Sequence, residues 1–166
     1  MSRSLLKLGT SSFARIYWHT TSTLLYDNSM IQFVLIVNRR GQTRFARYYT
    51  HMPDDCSAFE LSIAQQCLVR KPGEALFLEI DTQTIVYRVY GPLYFIVGCD
   101  QGENVFAILE LIQYCVELLD RYFEKVTELD LMCGLERVTI LFDEVISGGH
   151  IVETDRERAL AALAEL

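Results

Sequence analysis

One stretch constrains this chain more than any other: ENVFAILELIQYCVELLDRYFEKVTELDL, from Glu103 to Leu131. Its apolar residues include Val105, Ile108, Leu109, Leu111, Ile112, Cys115, Val116, Leu118, Leu119, Phe123 and Val126. They occupy more than one stripe of a 3.6-residue helix. Charges are few, at Glu103, Glu110, Glu117, Asp120, Arg121, Glu124 and Lys125. A helix of this kind needs cover on most of its circumference. It predicts the spine of a small domain, with a sheet on one side and a second covering element on the other.

The remaining 137 residues or so around it suit one globular domain: the chain has 166 residues and is 51% hydrophobic. Glu110 and Glu117 interrupt the most apolar run, so it is not of membrane-spanning character. A net charge of −7 argues against nucleic acid as a partner. Cys56, Cys67, Cys99, Cys115 and Cys133 are scattered, with no CxxC, and no secretory leader is read at the start. Reduced, mostly buried thiols in a cytosolic setting are expected. His19, His51 and His150 stand far apart, and no metal or cofactor site is expected.

Residues 1–29 differ from the rest. They are rich in Ser and Thr, with Arg3, Lys7 and Arg15 against a single acid, Asp27. Such a segment reads either as a mitochondrial-type targeting sequence or as a disordered extension outside the mature domain. The extension is preferred, because a domain of residues 30–166 opens cleanly at Met30. IQFVLIVN, from Ile31, is a buried strand; Asn38-Arg39-Arg40-Gly41 is a turn; QTRFARYYT, from Gln42, returns as a second strand. Arg39, Arg40, Arg44 and Arg47 lie on this hairpin, with no acid between Met30 and Pro53. This is a solvated hairpin face or a positive seat for an acidic partner.

Asp54 and Asp55 suit the start of a helix over 54–70, which Arg70-Lys71-Pro72-Gly73 ends. Strands follow at 75–80, 84–90 and 93–99, with a kink or bulge expected at Gly91-Pro92. The five strands, joined by short connections, form a mainly antiparallel sheet. After the central helix a helical segment at Val126–Met132 follows with little break. Residues 135–146 have helical periodicity, although VTILF alone could be a strand. Ser147-Gly148-Gly149 ends that helix, and Thr154 or Asp155 caps a last one, RERALAALAEL.

No Walker loop, GxGxxG, GxSxG or HExxH is present, and the carboxylate pairs Glu128/Asp130 and Asp143/Glu144 read as caps or solvated faces. The chain is read as not an enzyme.

Four segments in this order carry a resemblance: MIQFVLIVNRRGQTRFARYY, IVYRVYGPLYFIVG, VELLDRYFEKVTELDLM and FDEVISGGHIVET. From Met30 to about Leu160 the chain resembles the small (sigma) subunits of the heterotetrameric clathrin-adaptor complexes, with coatomer zeta as the alternative relative. GQTRFARYY and GHIVETDRERAL are most similar to the fourth adaptor type. The resemblance implies an α+β, longin-like fold: a five-stranded antiparallel sheet with helices on both faces. It implies two large adaptin subunits and one medium (mu) subunit as partners, a large solenoid supplying cover for the central helix. It implies a place in the cytoplasm, peripheral on trans-Golgi, endosomal or coated-vesicle membranes through the complex.

The same family binds acidic dileucine signals, [DE]xxxL[LI], in cargo tails. By resemblance, the leucine pocket here is Gly91, Leu93, Phe95, Val116, Val126 and Leu131. The positive seat is Arg44, with Arg39 nearby, and Lys125 stands at the rim where many relatives carry a small polar residue. Gly91-Pro92 replaces the more usual Ala-Gly or Ala-Ala. Taken without the family, Leu93, Phe95, Val116, Val126 and Leu131 read as core, Gly91 as a backbone device and Arg44 as a solvated strand residue.

Overall fold

The computed structural model describes residues 31–51 and 53–164. The readings made for residues 1–29 and for the chain's last two residues lie outside them.

Two antiparallel strands form the centre. Strand β1 (Ile31–Asn38) pairs with β5 (Leu93–Asp100), Leu35 opposite Ile96 and Asn38 opposite Leu93. Strand β2 (Thr43–Tyr48) flanks β1; β4 (Gln83–Tyr90) and then β3 (Phe77–Ile80) flank β5. All neighbours in this five-stranded sheet are antiparallel, in the order β2-β1-β5-β4-β3. The central strands are apolar at nearly every position, as strands buried on both faces must be. Alternation then sends Phe33, Leu35, Val37 and Ile96 to one face and Val34, Ile36, Phe95 and Val97 to the other.

Helix α1 (Cys56–Leu68) covers the first face with Ile63, Ala64 and Cys67. Asp55 caps it by accepting a hydrogen bond from Ala58 N at 3.0 Å. Helices α2 (Val105–Phe123), α3 (Glu128–Cys133), α4 (Leu135–Val145) and α5 (Arg156–Ala164) cover the second face. The fold is therefore α+β with helices on both faces of the sheet, as expected.

Helix α2 is capped by Asn104 and buries Ile108, Leu111, Ile112, Cys115, Val116, Leu118 and Leu119. Its polar anchor is Gln113, whose Oε1 accepts from Tyr90 Oη at 2.6 Å and from Arg88 Nη1 at 3.2 Å on β4. The cover on its far side comes from the chain itself. Helices α4 and α5 both contact α2, with Leu141, Val145, Ala159 and Leu163 in the same core. Arg121 and Glu157 pair at 2.6 Å, and Arg156 pairs with Glu117. Among the apolar residues of α2, Phe106 stands well exposed.

Several boundaries differ from expectation. Gly91-Pro92 is a two-residue hairpin turn, not a kink or bulge: Tyr90 pairs with Leu93 across it. Gly91 has φ +57°, and Pro92's ring holds φ negative, the combination that suits a type II′ turn. The segment 135–145 is helical, which settles VTILF. A second hairpin that the sequence reading did not anticipate follows it: β6 (Ile146–Ser147) with β7 (His150–Ile151). Its Gly149 carbonyl accepts from Ile31 N at 2.9 Å, closing the start of β1.

Gly98 on β5 faces the ring of Phe33, and a Cβ there would lie 2.2 Å from Cε1 of that ring. The ring is wedged edge-on to Phe59 at 5.2 Å between centroids, so it has nowhere to retreat. Gly98→Ala is expected to destabilise the fold by on the order of 1–3 kcal/mol through overpacking, read as a lowered urea or thermal midpoint.

Candidate functional site

The turn between β1 and β2 is built around Asn38, buried at 5% exposure. Its Oδ1 accepts from Arg40 N at 2.9 Å and from Gln42 N at 3.0 Å. Its Nδ2 donates to Gln42 Oε1 and to Glu128 Oε1, each at 2.9 Å. Asn38 also lies opposite Leu93, so this turn stands beside the Gly91-Pro92 turn. Arg39 Nη2 crosses between them and donates to the Gly91 carbonyl at 3.0 Å. The register of the central strands thus brings Arg39, Arg44, Gly91 and Leu93 to one end of the sheet.

Arg44 owes its direction to a β-bulge. Thr43 pairs with Val37 and Phe45 with Ile36, leaving Arg44 as the extra residue of β2. Phe45 faces α4, stacked on Phe142 at 4.8 Å. Strict alternation would send Arg44 to the α1 face. The bulge places it on the same face as Phe45, where Nε donates to Glu128 Oε1 at 2.6 Å and Nη2 to Gln42 Oε1 at 2.9 Å. Its side chain is 8% exposed against 31% for Glu128.

Val126 and Lys125 sit at a corner between α2 and α3. Helix α2 ends through Glu124 in the left-handed region (φ 55°), and Lys125 follows at φ 94°. Neither residue is glycine, so the corner is strained and held from outside. Asp120 holds it: its carbonyl accepts from Lys125 N, and its Oδ1 from Val126 N, each at 2.8 Å. Helix α3 then starts on a capping box, Thr127 with Asp130.

The apolar residues predicted for the pocket share one core cluster. Leu93, Phe95, Val116 and Leu131 are buried and Val126 packs half-buried against them; Gly91 and Lys125 are exposed. They are brought together on the α2–α3 face, where Leu93, Phe95, Val116 and Leu131 are each no more than 3% exposed. A separate void of about 10 Å³ lies deeper, between Phe95 and Val34, Leu111, Cys115 and Phe142. It is wholly apolar and at the margin of what one water needs, so it is a dry packing gap.

Two of the hairpin's four arginines are paired with carboxylates of the chain itself. Besides Arg44, Arg47 makes a bidentate pair with Asp143 of α4, at 2.7 and 3.0 Å. Burial pushes the Asp143 carboxyl upward, and Arg47 pulls it partly back. Burial pushes the Cys67 and Cys115 thiols up to about 12, which leaves them un-ionised and inert. Among the described residues no cluster of His, Cys, Asp and Glu could hold a metal ion, and no helix is long and apolar enough to cross a membrane.

Sequence reasoning missed Asn38, Gln42, Asp120 and the role of Glu128. The Thr127-x-x-Asp130 spacing was a legible sign that a new helix starts there, and it places Glu128 in the first turn facing β2. Asp130 does serve as a cap; Glu128 forms the ion pair instead.

Comparison with known proteins adds three findings. The family model described as clathrin adaptor complex small chain matches residues 30–166. The AP-4 complex subunit sigma-1 of Mus musculus is 43% identical over 135 residues, covering 81% of this chain and 94% of the relative; the AP-4 complex subunit sigma of Arabidopsis thaliana is 41% identical over 134 residues, covering 80% and 94%. A chain in a homology model of the full-length AP-3 complex, in a stretched open conformation, superposes with a TM-score of 0.65 at 30% identity, covering 82% of this chain and 92% of that one.

The site has a measurable electrostatic signature. Hydrogen bonds from Asn38, and then from Arg44, hold the Glu128 carboxyl below the ordinary 4.5. A carboxyl depressed by folding contributes stability that is complete above its unfolded value and is lost as pH falls through its folded value. Glu128→Gln is therefore expected to lower the urea midpoint near neutrality. The gap from the parent chain should close on acidification below the ordinary glutamate value.

Proposed function

The chain belongs to the clathrin adaptor complex small chain family, and from that premise we propose that it is the sigma subunit of an adaptor complex of the fourth type. The family consists of structural subunits in vesicle-mediated protein transport, not enzymes. In this reading residues 30–166 form the family's domain behind a separate segment of residues 1–29. Two large adaptins and one medium subunit complete the complex, which sits peripherally on trans-Golgi, endosomal or coated-vesicle membranes from the cytoplasmic side. The identity to AP-4 sigma subunits supports the choice of complex.

The second part of the reading is recognition of acidic dileucine signals. One observation carries it: Arg44 and the apolar set Leu93, Phe95, Val116, Val126 and Leu131 converge on one face at one end of the sheet. Arg39 and Gly91 stand beside them, joined by a hydrogen bond. The two chemical needs of such a signal, cover for two leucines and a cation for the acid, are met side by side. Lys125, exposed at the strained corner, adds a second positive charge at the rim. Because Leu93, Phe95, Val116 and Leu131 are buried, the leucines enter by parting α2 and α3 from the end of β5.

The magnitudes suit a weak, reversible receptor. Burying two leucine side chains yields about 3–6 kcal/mol. A charge-assisted hydrogen bond adds about 1.5–3 kcal/mol. Ordering an extended tail and opening the packed wall subtract from both. Micromolar affinity results, raised on a membrane by clustered cargo.

Affinity purification of the tagged chain from its own cells tests the first part. Two large adaptins and a medium subunit are expected, and coatomer subunits in their place would overturn it. For the second part, Arg44→Ser in the assembled complex is expected to weaken binding of an acidic dileucine peptide by about tenfold while the complex still forms. Unchanged affinity by calorimetry or fluorescence anisotropy would remove Arg44 from that role.

A further inference from the structure

The guanidinium assigned to the signal's acid already holds a carboxylate of the same chain. Glu128 Oε1 accepts from Arg44 Nε at 2.6 Å and from Asn38 Nδ2 at 2.9 Å. Gln42 Oε1 accepts from Asn38 Nδ2 and from Arg44 Nη2, each at 2.9 Å. The four side chains form a polar network spanning the hairpin turn and the first turn of α3.

Resting on the dileucine reading above, we propose that Glu128 is an internal competitor for the acidic residue of the sorting signal, holding Arg44 until a ligand carboxylate displaces it. The asymmetry of burial gives the device its direction. Arg44 is shielded and must always face an anion, because a desolvated guanidinium without a partner is strongly unfavourable. Glu128 is partly open to water and can be rehydrated when it leaves.

Exchange of one carboxylate for another therefore conserves the Arg44 contact and is nearly balanced in energy. A neutral side chain offered in the same place gains nothing, since it cannot replace the charge it would displace. Two carboxylates on one Nε would repel each other, so occupation by Glu128 and by the ligand is mutually exclusive. The consequence is a lowered affinity for acidic ligands alone: the resident acid opposes a ligand that needs Arg44, whereas a neutral ligand leaves the Arg44–Glu128 pair in place.

The test uses the assembled complex carrying parent chain, Glu128→Gln or Glu128→Ala, and two peptides. One bears Glu four positions before the first leucine; the other bears Gln there. Both variants are expected to bind the acidic peptide about three- to tenfold more tightly than the parent, with little change for the neutral peptide. The gain should vanish when Arg44→Ser is added, because the competition runs through that guanidinium. Binding of the acidic peptide by the variants alone would support the proposal in its strongest form. Parent and variants binding it equally, or the variants more weakly, would overturn the proposal and leave the dileucine reading standing. So would a gain that persists with Arg44→Ser. Absence of binding by every complex to both peptides would overturn the proposal and the dileucine reading together.

Discussion

The pairing of β1 with β5 is the contact on which the rest of the molecule depends. Both strands are apolar on both faces, so neither can face water on either side. That requirement calls for α1 on one face and α2 with α4 on the other, and it divides the interior into two separate cores. The antiparallel sense of the pair also sets where the two turns meet. Asn38 ends β1 where Leu93 begins β5, so the basic turn and the Gly91-Pro92 turn are neighbours by register alone. The site is a product of strand pairing before any of its own side chains interact.

The arginines of the hairpin act first as clamps. Strand β2 lies at an edge of the sheet, where backbone groups are exposed to unwanted pairing. Arg44 reaches α3 and Arg47 reaches α4, so each fixes the edge to a helix through a carboxylate. In the proposed reading, binding to a partner acid is then a change of partner within an existing ion pair.

Much of this was legible in the residues. The continuous apolar run IQFVLIVN, the turn at residues 38–41 and the caps at Asp55 and Asp155 carry local signals that survive folding. Other features have no such signal. Helix α2 stops at Phe123 because Asp120 stabilises a left-handed Glu124, with neither Gly nor Asn to announce it. The β6–β7 hairpin has strands of two residues, too short for any period to appear. The second cover on α2 was sought in a partner, yet α4 and α5 pack there; amphipathic stripes say that a face is buried and not what buries it. Within the site, Leu93, Phe95, Val116 and Leu131 follow the pattern of ordinary core residues and differ only by family resemblance. Arg44 was named from the same resemblance, but its inward direction depends on a register shift that side-chain alternation would have contradicted.

That register shift works as a ruler. The single surplus residue between Thr43 and Phe45 is what lets an arginine and a phenylalanine share one face of the sheet. Removing one residue from the turn-proximal end of β2 would restore plain alternation and leave Phe45 anchored against Phe142. The arginine would be carried through the sheet to the opposite side. Here the count of residues, and not only their chemistry, decides which face the guanidinium takes. A chain that kept every charge but lost that one position would carry the guanidinium away from Glu128, and the tie between β2 and α3 would be lost.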